Sequence, residues 1–285
     1  MRNAIASVLM AGCLAAVLVP GPLFGPAAAQ DDARRLSHIA GNVWRFQNKF
    51  HFSVVIDTED GVIVTDPISP SAATWLDEII ASRFAKPVTH LVYSHSHLDS
   101  ASGGRVFADT ATVIAHENAP AEIHRVVPDY RFSERMTLSS GDHTIELTYL
   151  GPGHGTDLVA MVIRPENVAF VVDLISPGRI GYKDFPGVDV GDMIDQIKKV
   201  ESLDFEILAP GNGRLGTKAD LVAGRDYLEW LRDAVAAEIK AGKSVDQVVE
   251  DLDTSAYSNL LAYDVWRDLN IQGMARWLKE SGQVP

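Results

Sequence analysis

Along most of the chain, apolar residues fall in short blocks spaced as strands and helices. Residues 43–46 and 52–57 read as strands, and Thr58-Glu59-Asp60-Gly61 is a hairpin turn. Residues 62–66 return as a buried strand that stops at Pro67. Residues 71–84 place Trp75, Ile79 and Ile80 at helical spacing, with Ser69 or Ser71 as the cap. A strand rich in β-branched and aromatic residues then covers 88–94. The polar segment 95–104 follows, then a short helix to Ala108, a strand at 112–115 and a helix around 119–126. Strands are predicted at 144–150, 158–163, 169–174 and 205–209, with a helix at 190–203 before the last of them. The remainder reads as helical, most clearly over 220–241. Two groups of strands, each interleaved with or followed by helices, predict packed sheets covered by helices.

The first thirty residues depart from this pattern. Arg2 precedes an almost wholly apolar run from Ala4 to Val19, and Ala27-Ala28-Ala29 supplies small residues before Gln30-Asp31-Asp32. This is the layout of a secretory signal cleaved after about Ala29, and it predicts a periplasmic or secreted protein. Pro20, Gly21 and Pro22 break the run before it reaches the ~20 apolar residues a membrane span needs. Met10-Ala11-Gly12-Cys13 loosely resembles a lipid-attachment site, but apolar residues follow Cys13 where lipoproteins turn polar. Residues 30–285 then form the working domain, with 244–285 either a helical C-terminal appendage or part of the main body.

Cys13 is the only cysteine, so a mature chain has neither disulfide nor thiolate, and any metal must sit on His, Asp, Glu or Asn. The net charge of −13 includes no basic run, which argues against nucleic acid and leaves a small molecule as the expected partner.

The chemistry concentrates in His95-Ser96-His97-Leu98-Asp99, directly after a strand. Residues i and i+2 of an extended chain point the same way, so two imidazoles can reach one ion, with Asp99 at the next matching position. His154 lies in Gly151-Pro152-Gly153-His154-Gly155, Asp173 ends another strand, and Asn212 lies in Ala209-Pro210-Gly211-Asn212-Gly213. Each follows a predicted strand. Arg179 reads as a surface charge or a contact for a substrate carboxylate, and Phe50-His51-Phe52 as a strand or a loop over the site. His90 and His116 read as structural histidines, Trp266 and Trp277 as core, and His38, His124 and His143 lack a partner motif.

The order Thr65-Asp66-Pro67, His-x-His-x-Asp, Gly-x-Gly-His, a strand-ending Asp and Pro-Gly-x-Gly resembles the metallo-β-lactamase superfamily from about residue 43 to 213. The resemblance implies an α/β fold, the αββα sandwich, with metal at one edge of two sheets. It implies His95, His97 and His154 as ligands of a first metal, Asp99 as a ligand of a second, and Asp173 as the bridging carboxylate. Asp66 would support the site from behind, or serve as a turn residue before Pro67. Two positions depart from the pattern: Ser100 and Asn212 stand where histidines are usual. Neutral hydroxyl and amide oxygens are weak zinc ligands, which predicts one strong Zn2+ site and a weak or absent second.

The expected activity is a zinc-dependent hydrolase acting on an ester, lactone or amide through metal-activated water, with Asp99 as general base and Asn212 donating to the oxyanion. Asn212 reads equally as a support for its loop. Two alternatives stay open: an Fe(II) enzyme resembling persulfide dioxygenases, on His95, His154 and Asp173, and a degenerate, non-catalytic periplasmic binding protein.

Overall fold

Strand-forming residues set up two sheets whose inner faces share one apolar core. The computed structural model describes residues 34–285, so the signal-peptide and Cys13 readings lie outside the described residues. The first sheet runs in the order β1 (Arg34–Ala40), β2 (Val43–Asn48), β3 (His51–Thr58), β4 (Gly61–Thr65), β5 (Val88–Val92), β6 (Thr112–His116) and β7 (Tyr130–Phe132). Its first four strands form an antiparallel meander, and β4 to β7 run parallel. The second sheet contains β8 (Arg135–Ser140), β9 (His143–Tyr149), β10 (Val159–Arg164), β11 (Val168–Val171) and β12 (Ile207–Pro210), in the reverse order across the sheet. Only its β11–β12 pair is parallel.

The period-2 alternation of the strands assigns each side chain to a layer. Val54, Ile56 and Ile63 of the first sheet meet Ile145, Leu147, Val159, Met161 and Phe170 of the second. The opposite residues, Val55, Val62 and Val64, pack against Ala72, Leu76 and Ile80 of α1 (Pro70–Phe84). On the far side of the second sheet, Ala160 and Val162 meet α3 (Val190–Glu201), α4 (Lys218–Lys240) and α6 (Tyr263–Glu280). Helix, sheet, sheet, helix is therefore the layer order, the α/β sandwich expected from the sequence. Ser69 caps α1 by accepting from the Ala72 amide, and Pro70 occupies the position where its missing N–H costs nothing.

The C-terminal helices belong to this outer layer. Val248 of α5 (Val245–Asp251) and Met274, Ala275, Trp277 and Leu278 of α6 are buried in the same cluster as Ile194 and Ile197 of α3. Leu261 also pairs by backbone hydrogen bonds with Gly178 and Ile180, so this segment ties down the loop after β11. Among the described residues no helix is long and apolar enough to cross a membrane.

Two local expectations are corrected. The segment around 119–126 is not helical: His124 and Arg125 take positive φ, incompatible with a right-handed helix. Arg131 donates to the carbonyls of Ala119, Pro120 and Ala121, which helical hydrogen bonds would otherwise occupy. Conversely, β1, β7 and β8 are strands with no apolar block to announce them, because each is short or exposed on at least one face.

The layer assignment makes a direct prediction. Phe170→Ala, in the fully buried inter-sheet core, should cost about 3–5 kcal/mol. Phe50→Ala, at an exposed position, should change stability by less than about 0.5 kcal/mol. Urea denaturation of both variants checks this, and equal losses would contradict the assignment.

Candidate metal centre

Strand direction brings the chemistry to one edge. β9, β11 and β12 run the same way, and His154, Asp173 and Asn212 each follow one of them. His95 and His97 follow β5 of the other sheet. One ligand atom from each of His95, His97, His154 and Asp173 falls within 4.8 Å of all the others. His97 Nδ1 lies 3.0 Å from His154 Nε2. Asp173 Oδ2 lies 3.4 Å from His95 Nε2 and 3.3 Å from His154 Nε2.

These separations suit an ion. Bonds of about 2.0–2.1 Å in a tetrahedron put neighbouring ligand atoms roughly 3.3 Å apart. His95 Nε2 is also buried without a hydrogen-bond donor or acceptor of its own, the condition of a nitrogen whose partner is a cation. His97 is exposed, so the cluster opens to solvent on that side.

Supporting groups fix the orientation of each ligand. Asp66, buried after β4, accepts from the Ser94 amide at 2.7 Å and from the Ser94 hydroxyl at 2.5 Å. With its proton committed to Asp66, the Ser94 oxygen accepts from His95 Nδ1 at 2.9 Å. That relay leaves His95 Nε2 as the free lone pair facing the cluster. Gln196, fully buried on α3, accepts from the His154 amide and donates to the Gly151 carbonyl, each at 2.8 Å. Gly153 turns at φ +145, and a Cβ there would stand 2.5 Å from the Gln196 oxygen, so only glycine fits.

Electrostatics follow from burial and proximity. Burial pushes the Asp66 carboxyl up to about 6, against the pull of His95 and the Ser94 hydrogen bonds. Burial also disfavours ionised Asp173, but the His154 and His95 imidazoles close beside it outweigh that and hold the carboxyl well below its usual range. His95 is raised: burial opposes its cation, and Asp173 more than compensates. His97 is lowered by burial and by repulsion from His95 and His154, which favours the neutral, metal-binding form.

Two expected residues sit differently. Asp99 lies apart from the cluster. The chain turns helical at α2 (Leu98–Ala101), with His97 as its N-cap, so extended alternation stops before Asp99. Its side chain is half exposed and reaches His51 Nδ1 at 4.0 Å. Asn212 donates its amide N–H to Asp173 Oδ1 at 2.9 Å, so it braces a ligand where oxyanion contact was expected. Ser100, on the buried side of α2, is covered, and its carbonyl accepts from the Ile68 amide. Arg179 is half-buried, makes no ion pair among the described residues, and stacks on Trp266. His116 is buried and bonded to the Asn118 amide, a structural role.

Two supports, Gln196 and Ser94, were not singled out in the sequence. Gln196 had a visible trace, a polar residue within the apolar stripe of Met193, Ile194, Ile197 and Val200. Ser94 carried none beyond standing next to His95. His51 pairs with Asn212 across the sheets, a contact set by tertiary folding alone.

A family model described as the metallo-beta-lactamase superfamily matches residues 48–212, which contain every donor named above. The chain belongs to the metallo-β-lactamase superfamily. Among curated proteins it is similar to the 2,4-dinitroanisole O-demethylase subunit alpha of Nocardioides sp. (strain JS1661), at 26% identity over 272 residues, covering 89% of this chain and 80% of that one. The beta subunit of the same enzyme is 25% identical over 247 residues, covering 80% and 76%. Among solved structures, a metallo-β-lactamase from Pontibacter korlensis superposes with a TM-score of 0.62 at 19% identity, covering 69% of this chain and 99% of that one. That likeness is one of fold. It leaves about a third of this chain unmatched.

The raised Asp66 carboxyl has a sign that can be checked. In metal-free protein, protonated Asp66 favours folding, and that contribution is lost as the pH rises through about 6. Asp66→Asn buries no charge, so its stability relative to the parent should increase from about pH 5 to about pH 8. Urea melts in chelator measure this, and a pH-independent difference would sink it.

Proposed function

We propose that this chain is an exported, zinc-dependent hydrolase of small molecules with one strong metal site. The observation that carries this reading is the convergence of His95, His97, His154 and Asp173 on one point, open to solvent beside His97. Zinc bound there would acidify water to a pKa of about 7 and polarise an oxygen of the substrate.

The chain's own residues supply the rest. Ser94 and Asp66 fix the tautomer of His95, and Gln196 fixes the His154 loop. Asn212 takes up the second oxygen of Asp173, the oxygen a second ion would otherwise use, which favours a mononuclear site. Asp99 and His51 lie outside the cluster with partly exposed side chains, placed to accept a proton at Asp99 Oδ2 and pass it to solvent.

Esters, lactones and amides present a carbonyl suited to this chemistry. The relatives add a further substrate class, an electron-poor aryl methyl ether. Two nitro groups withdraw charge from the ring, so addition of water's oxygen with loss of methanol needs no oxidant. A second reading is favoured by the same name and by the His95, His154 and Asp173 face, which matches a two-histidine, one-carboxylate iron site.

The two separate cleanly. Zinc-loaded protein should turn over members of a panel of nitrophenyl esters, lactones, β-lactams and dinitroanisole at equal rates with and without oxygen. Dependence on iron and oxygen would establish the second reading, and silence across the panel with metal bound would overturn both. His97→Ala should lower kcat/KM by at least about a thousandfold, the several kcal/mol expected of metal activation.

A further inference from the structure

Arg45 lies on β2, in the first sheet, yet its guanidinium ends at the loop after β12 in the second. It is buried at 7% exposure and forms no ion pair among the described residues. The nearby charge is that of Arg35, which repels it, and together with burial this lowers Arg45 to about 10, still a cation at neutral pH. A cation taken out of water without a counter-charge costs several kcal/mol, and an apolar side chain would fill the same space more cheaply. Its contacts therefore need a reason beyond packing.

The hydrogen bonds of its side chain all end on one four-residue loop, Pro210 to Gly213. Arg45 Nη2 donates to the Pro210 carbonyl and to the Gly213 carbonyl, each at 2.8 Å. These carbonyls bracket Gly211 and Asn212. The Gly211 carbonyl accepts from the Phe52 amide at 2.9 Å, and His51 pairs with Asn212 as an isolated bridge. Phe52 also lies 3.6 Å beneath the guanidinium, fixing it from the other side. The loop backbone from Pro210 to Gly213 is thus held from the first sheet by β2 and β3, in addition to β11, whose Val171 carbonyl accepts from the Gly211 amide. Its Asn212 side chain then holds Asp173 Oδ1.

We propose that Arg45 is a positioning residue for the metal centre: it clamps the Pro210–Gly213 loop so that the Asn212 amide meets Asp173 and turns the other carboxylate oxygen towards His95 and His154. The inference rests on the reading of those residues as one metal site. Two hydrogen-bonded links separate the guanidinium from a ligand oxygen, and both are short. The guanidinium reaches from the first sheet and donates twice to carbonyls from one nitrogen, a task that no apolar residue performs.

The test is a double-mutant cycle read in metal affinity, using zinc alone in competition with a chromophoric chelator. Arg45→Gln and Asn212→Ala should each weaken zinc binding about tenfold, the range for residues that orient ligands. Because one acts through the other, the double variant should bind within about twofold of Asn212→Ala. The cobalt-substituted Arg45→Gln protein should also show a shifted d–d spectrum, since the ligand geometry changes. A folded Arg45→Gln protein that binds zinc as the parent does would overturn the proposal, as would a double variant weakened by the product of the two single effects. If Arg45→Gln fails to fold, Arg45→Lys retains the charge and a donor, and should show a smaller loss in the same direction. His97→Ala provides the separation: zinc affinity unchanged there would remove the metal centre itself, whereas a loss there with none in Arg45→Gln removes only the clamp.

Discussion

One carboxylate organises this molecule. Asp173 has two oxygens facing different groups: Oδ2 sits among the imidazoles of His95 and His154, and Oδ1 accepts from Asn212. Its ionised form is strongly favoured because those neighbours outweigh the cost of burying it. Everything around it serves to keep that geometry. β11 delivers Asp173 at a positive φ of 60, β12 delivers Asn212, and β5 from the opposite sheet delivers the histidine pair. Two sheets packed face to face are what make donors from four strand ends meet.

The supporting groups are as informative as the ligands. Imidazole has two nitrogens, and a ligand histidine is useful only if the correct one faces the ion. Ser94 settles that choice for His95 through a proton it has already given to Asp66. For His154, Gln196 fixes the backbone and glycine makes room for it. The same economy explains the two departures from the family pattern. Ser100 is buried within the short helix α2, and Asn212 donates to Asp173, so both side chains are spent on structure.

Much of this was legible before folding. Period-2 blocks marked β3, β4, β5, β6, β9 and β10, and the capped helix after Pro70 was written in Ser69 and its apolar spacing. His95, His97, His154 and Asp173 stood at or just beyond strand ends, His154 between two glycines, which is a local signal. Asp99 falls outside the cluster of four because extended alternation ends where the backbone coils at α2. The 119–126 segment misled because apolar spacing says nothing about an arginine on β7 that claims the same carbonyls. Arg45 had no local trace at all, and for His51 the sequence offered a strand or a loop over the site without naming a partner. Their partners lie far along the chain, and only sheet-on-sheet packing brings them near.

The pairing of Leu261 with Gly178 and Ile180 has a consequence for how the protein is made. Synthesis runs from the N-terminus, so every donor of the cluster leaves the ribosome before Leu261 does. A nascent chain can thus gather its ligands while the loop after β11, including Arg179, still lacks its outer brace. That loop is fastened last, by a distant segment that contributes nothing to the cluster. Alterations near Leu261 would therefore act first on the loop after β11, while the four clustered side chains keep their own contacts.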